Sequence, residues 1–275
     1  MIGAMHWRGI SWAFGRIVRG ELDFLAGELW SRAYKVPWSV AFQKHLNRVG
    51  PKPHPLNGKV SLETQHPVAY ESPDHQAPWG TKYDNNTNRK FVLHMAGLIS
   101  QAKPNENHAS LDLGCSGGQL VKDFRDLGWL AVGLEGSDYS QKHQRANWPA
   151  LGGRNLFTCD SSKPFRLLAE GKQIGFDLIT AWEVVEHLRT EDLPTLFTNI
   201  DSHLKPGGYF VASTTSSPDV HEGVDLHQSK FSNKEWRERI AKMCPSWHFT
   251  DLGLKYYQYV RFNFYERSFL AYQKH

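Results

Sequence analysis

Cysteine is scarce in this chain of 275 residues. Cys115, Cys159 and Cys244 are the three present, with no Cys-x-x-Cys among them. An odd and scattered set is not a disulfide framework, and it points to a reducing, cytoplasmic setting. No apolar run approaches membrane-spanning length, and no charged stretch followed by an apolar one opens the chain, so neither a transmembrane helix nor a leader is expected. Internal repeats and low-complexity segments are absent. The first regular strand is not followed by Gly-x-Gly-x-x-Gly, which disfavours a dinucleotide-linked dehydrogenase. A strong charge imbalance is also lacking, since the net charge is only +4.

That small charge is unevenly placed. Residues 1–60 hold nine Lys/Arg against three Asp/Glu, so the remainder is slightly acidic. The same region is rich in aromatics, and Phe14, Val18, Leu22, Leu25 and Leu29 fall at near-helical spacing. Residues 1–78 therefore read as a basic helical arm with a proline-rich linker, and residues 79–275 as the main domain. Such an arm is open to two readings, a stripe packed on its own domain or a surface that touches a membrane peripherally.

From Asn85 the pattern becomes regular. A helix over 88–101 is followed by strand 110–115, helix 118–127, strand 129–135, helix 139–146, strand 155–159, a short helix over 164–171, strand 176–182, helix 190–203 and strand 208–214. Alternation of this kind predicts a Rossmann-like α/β fold, a mostly parallel sheet with helices on both faces. After a helix over 233–243, the runs 247–257 and 263–273 should pair antiparallel at one edge.

The organising stretch is Ser110 to Leu120, in which a strand empties through Gly114, Gly117 and Gly118 into a helix. Such a turn lets backbone N–H groups approach a nucleotide-like ligand. Glu135 closes the second strand, placed to accept ribose hydroxyls. Asp160 closes the third, at an adenine edge, and Trp182 and Glu183 close the fourth. Cys115, Ser116, Gly136 and Ser161 flank these points at the same sheet edge. Either carboxylate alone could equally be a helix cap.

These residues resemble the class I S-adenosylmethionine-dependent methyltransferases, across about residues 80–275. Asp112, Gly114 and Gly118 match the family's first motif, with Ser116 at its middle glycine position. Glu135 matches its ribose-binding acid, Asp160 its adenine-edge residue, and Leu204 to Thr214 its turn into the fifth strand. The resemblance implies a seven-stranded sheet of order 3-2-1-4-5-7-6 with strand 7 antiparallel, and S-adenosyl-L-methionine as cofactor.

An alcohol acceptor must also lose a proton, to a base or with the help of a metal. Glu183, Glu186 and His187 stand at i, i+3 and i+4, with His227 in the long connection after the fifth strand. Glu183, His187 and His227 are thus candidate catalytic groups. With Glu186, the same residues are candidate ligands for a divalent metal such as Mg or Mn. Glu-x-x-Glu-His with a later His resembles the metal-dependent small-RNA 2′-O-methyltransferases. The same motif occurs in metal-free small-molecule enzymes such as the ubiquinone-pathway O-methyltransferases, in which the histidine would serve as base or open a helix. Ala77 to Phe91, with VGLEGSDYS and VDLHQ, resembles methyltransferases of bacterial polysaccharide and sugar-modification loci. In the plainer reading of that stretch Asn85 and Asn88 are helix caps; in the functional one Thr81, Lys82 and Tyr83 form a lid over the cofactor. The resulting expectation is O-methylation of a sugar or glycan hydroxyl. RNA or a quinone-type molecule is the alternative acceptor, and a cofactor-binding, membrane-recruited protein is the non-enzymatic alternative.

Overall fold

The computed structural model describes residues 52–103, 106–261 and 267–275. The expected helical arm, and any membrane contact through it, lies outside the described residues. Among them no helix is long and apolar enough to cross a membrane.

In chain order the elements begin with β1 (Val60–Thr64), the single-turn helices α1 (Pro73–Gln76) and α2 (Trp79–Tyr83), α3 (Arg89–Ala102), β2 (Ala109–Leu113), α4 (Gln119–Asp126) and β3 (Leu130–Glu135). Two further short helices, α5 (Tyr139–Lys142) and α6 (Trp148–Leu151), lead to β4 (Leu156–Thr158), β5 (Phe165–Ala169), β6 (Lys172–Gln173) and β7 (Phe176–Trp182). Then come α7 (Leu193–His203), β8 (Leu204–Thr215), the hairpin of β9 (Val220–His221) and β10 (Val224–Asp225), α8 (Asn233–Met243), β11 (Trp247–Phe249) and β12 (Arg267–Lys274).

Seven strands form the central sheet in the order β11-β12-β8-β7-β2-β3-β4. β2, β3, β4, β7 and β8 run parallel, and β12 runs antiparallel to both β8 and β11. This is the expected order 3-2-1-4-5-7-6. β2, β3 and β7 are buried at every position, as a parallel sheet covered on both faces requires. Alternate residues feed two cores. Leu111, Leu113, Ile179 and Ala181 pack with Leu196, Phe197, Trp236 and Ile240 of α7 and α8. Ala131, Leu178 and Val211 pack with Phe91, Met95, Leu120 and Phe124 of α3 and α4.

Local chemistry sets the helix starts. The Asn88 side chain accepts from the Lys90 N–H at 3.0 Å and caps α3. Ser232 and Glu235 close a capping box on α8. Of the predicted helix over 139–146 only one turn, Tyr139–Lys142, forms; left-handed Gln144 and Ala146 follow it, and a second single turn comes after them at Trp148–Leu151.

The stretch 164–171 is a strand, not the predicted helix. β5 lies between β1 and β6 in a second, antiparallel sheet, with Leu62 opposite Leu167. Glu170 and Gly171, both with positive φ, make the two-residue turn that favours a hairpin, and alternate burial of Phe165 and Leu167 around exposed Arg166 supplies the period of two. The proline-rich stretch, in which residues 59–70 offer a short strand, gives β1 there and also the helix α1, which its composition does not predict.

Candidate active site

One cavity of about 740 Å³ opens along the carboxyl ends of β2, β3, β4 and β7, within the size range of small-molecule sites. Gly114, Ser116, Glu135, Gly136, Asp160, Ser161 and Trp182 line it, as do Glu183, His187 and His227. Asp112, Cys115 and Gly118 stand behind its wall and shape the turn.

The turn after β2 takes its form from three left-handed residues, Gly114 (φ 67°), Ser116 (φ 44°) and Gly118 (φ 78°). A Cβ on Gly114 would come 2.4 Å from Val184 Cγ2, so only glycine fits there. Ser116 holds a conformation that costs an L-residue about 1–2 kcal/mol. Its Oγ donates to the carbonyls of Asp84 (2.8 Å) and Thr81 (3.2 Å), which fastens the segment after α2 over the turn. Arg145 donates to the same two carbonyls and to Ser140 Oγ. Asn85 Oδ1 accepts from the Gln119 N–H at 3.0 Å and so caps α4 across sequence. A Cβ on Gly117 would lie 2.4 Å from that same oxygen, so this glycine is what admits Asn85.

Glu135 ties the two loops together. Its carboxylate accepts from the Ser116 N–H at 2.8 Å and the Ser137 N–H at 3.1 Å. Burial pushes it up to about 7 against those bonds, with Asp74 and Asp84 adding to the rise. A carboxylate has about four acceptor sites, so capacity for ribose hydroxyls remains. Asp112 is also pushed up to about 7, by burial, although Thr180 Oγ1 donates to it at 2.7 Å. Asp160 accepts from the Ser162 N–H and hydroxyl, and its own N–H donates to His66.

At the other end of the cavity a 3₁₀ turn, Val185–His187, follows Glu183, whose φ of 56° is left-handed. That kink breaks the single helical face expected for Glu183, Glu186 and His187. Ser213 Oγ donates to Glu183 at 2.7 Å and holds it beside β8. Glu186, His187 and His227 do come together, with one ligand atom from each within 4.8 Å of the others. Glu186 is fully buried. One of its oxygens accepts from the Thr215 N–H, and Oε2 has no hydrogen-bond partner among the described residues. Burial, then the charge of Glu183, pushes it up to about 8.

Both imidazoles are fixed through Nδ1. That of His187 lies 2.8 Å from Asp74 Oδ2, and that of His227 meets the Ser217 carbonyl. In the neutral ring both acceptors draw the proton to Nδ1, which leaves Nε2 with its lone pair. The rings meet edge to face at 4.6 Å. Burial pulls His187 down, but the hydrogen bond and charge of Asp74, with Glu186 and Glu183, outweigh it and push the imidazole up to about 9.

The sequence reading did not single out Asp74, Arg145 or Arg261. Asp74 had one legible signal, the Ser-Pro-Asp helix start, in which Ser72 Oγ accepts from the Asp74 N–H.

A family model described as "Methyltransferase domain" matches residues 82–269. Among curated proteins, the chain is 32% identical over 113 residues to a ubiquinone biosynthesis O-methyltransferase of Chelativorans sp. (strain BNC1), covering 41% of this chain and 42% of the relative. It is 30% identical over 127 residues to the protein of the same description from Parvibaculum lavamentivorans, covering 46% and 48%. The chain thus spans less than half the length of the curated relatives it matches. A solved S-adenosylmethionine-dependent methyltransferase from Clostridium acetobutylicum aligns with a TM-score of 0.46 at 15% identity, over 72% of this chain and 97% of that one.

Proposed function

The chain belongs to the methyltransferase-domain family, and we propose that it is an S-adenosylmethionine-dependent methyltransferase whose acceptor is a sugar or glycan hydroxyl. The observation that carries this reading is the polar build of the cavity beyond the glycine turn. Asp74, Asp219 and Gln228 line it beside His187 and His227. At its rim Trp79 is half exposed and stacked on His221 at 4.9 Å. Carboxylates and amides match hydroxyls, and an exposed indole face matches a sugar ring.

Glu135 and Asp160 hold the adenosine, and the turn from Gly114 to Gly118 takes the methionine portion. The acceptor O–H passes its proton to Nε2 of His187 while the oxygen attacks the methyl carbon in line. The C–S bond breaks onto sulfur and leaves S-adenosylhomocysteine. Asp74 keeps the His187 proton on Nδ1, so Nε2 stays open to the acceptor. The cofactor's sulfonium is a like charge to an imidazolium, so its arrival favours the neutral, basic ring.

The three-residue cluster supports a metal-assisted version of the same reaction. Two imidazoles with Nδ1 already engaged, and a buried carboxylate with an orphaned oxygen, form a borderline donor set that suits Mn better than Mg. Glu186, His187 and His227 would hold the cation, which would acidify the acceptor hydroxyl. The similarity to ubiquinone-pathway enzymes supports a quinol as the second acceptor class.

The test is transfer of labelled methyl into nucleotide-sugar, quinol and small-RNA pools, each with and without chelator. Label in the sugar pool supports the proposal, and its survival under chelation assigns the base to His187 alone. Label confined to quinol or RNA overturns the acceptor assignment.

A further inference from the structure

The ion pair between Asp84 and Arg261 lies at the glycine-turn end of the cavity and does not enter the scheme above. The two residues are 177 positions apart, and both line the cavity with Gly114 and Ser116. Asp84 is firmly placed. Its carbonyl accepts from Ser116 Oγ and from Arg145, and its Oδ1 accepts from the Asn86 N–H at 2.9 Å. The other two Lys/Arg residues among the described lining, Lys163 and Arg189, both pair with Asp192 instead. Arg261 is therefore the guanidinium available where the glycine turn meets the cavity.

The methyl donor's amino-acid end carries one ammonium and one carboxylate. A carboxylate and a guanidinium held side by side are its complement. We propose that Asp84 and Arg261 form the subsite for this zwitterion, Arg261 pairing with the cofactor carboxylate and Asp84 with its ammonium. The guanidinium has five donors, so it can take a second carboxylate in a fork while keeping Asp84. Asp84 is held in place for this contact by the bonds of its carbonyl to Ser116 Oγ and Arg145. The inference rests on the chain's use of S-adenosylmethionine.

Calorimetry on the full chain tests it with two ligands that share the adenosyl group, S-adenosylhomocysteine and 5′-methylthioadenosine, which lacks the amino acid. Arg261→Gln is expected to weaken S-adenosylhomocysteine by about 10- to 100-fold and 5′-methylthioadenosine by less than about twofold. Parallel weakening of both, or no change in either, overturns the subsite. A ligand-side comparison needs no variant. The wild-type chain should bind S-adenosylhomocysteine at least about tenfold tighter than its decarboxylated form, and equal affinity overturns the role of Arg261. A wild type that binds no adenosyl ligand overturns the cofactor assignment itself, and the subsite with it.

Discussion

Asp74 Oδ2 lies 2.8 Å from Nδ1 of His187, across 113 residues of chain. The contact joins a helix of one turn, in a stretch whose composition reads as linker, to the 3₁₀ turn after the fourth strand of the parallel series. It sets which nitrogen of the neutral His187 ring carries the proton, and so the one that the proposed mechanism uses as base. Asp74→Asn keeps the shape and removes the charge. It should lower kcat by about 10- to 100-fold and leave S-adenosylhomocysteine affinity within about twofold. Loss of cofactor affinity of the same size would make Asp74 part of the cofactor site rather than a positioning residue for His187.

Ser116 places a side chain where the family motif has glycine, and two opposed terms follow. The left-handed backbone costs stability, and the hydroxyl's bonds to Thr81 and Asp84 return it. Ser116→Ala loses the bonds and keeps the strain, so it should destabilise by about 1–3 kcal/mol in urea unfolding. Ser116→Gly loses the bonds but relieves the strain, and should lie about 1 kcal/mol above the alanine variant. Equal stability of the two variants would contradict the strained turn.

The buried carboxylates give a pH dependence of definite sign. Asp112 and Glu135 are both raised by burial to about 7. The folded chain therefore binds more protons than the unfolded chain between about pH 4 and 7. Their contribution to stability is full below pH 4 and is lost as pH rises through 7. Asp112→Asn keeps an acceptor for Thr180 and removes the titration. The drop in unfolding free energy from pH 5 to pH 8 should shrink by an amount on the order of 2 kcal/mol. An unchanged drop would mean that Asp112 titrates in the ordinary range.

Much of this site was legible in sequence because strand ends are local events. The apolar strand into Gly114, and the acids at Glu135 and Asp160, need only a parallel sheet to reach one edge. What escaped is long-range or ambiguous in period. Asp74 and Arg261 reach the cavity by tertiary folding, from opposite ends of the described domain. The run from Phe165 to Ala169 carries adjacent apolar residues at 167–169, compatible with a helix, and only the left-handed pair Glu170-Gly171 and the partner strand at 60–64 settle it as a hairpin. Glu183 was expected on one helical face with Glu186 and His187, but its positive φ and the Ser213 hydroxyl turn it toward β8.

The central claim is that a single cavity holds the methyl donor at the glycine turn and activates the acceptor at His187. Its most direct test is His187→Ala, assayed for S-adenosylhomocysteine binding and for single-turnover methyl transfer to the identified acceptor. The account predicts cofactor affinity within about twofold of wild type and transfer slowed by about 10²- to 10⁴-fold. Transfer at the wild-type rate with intact binding would contradict it and leave His187 a structural residue.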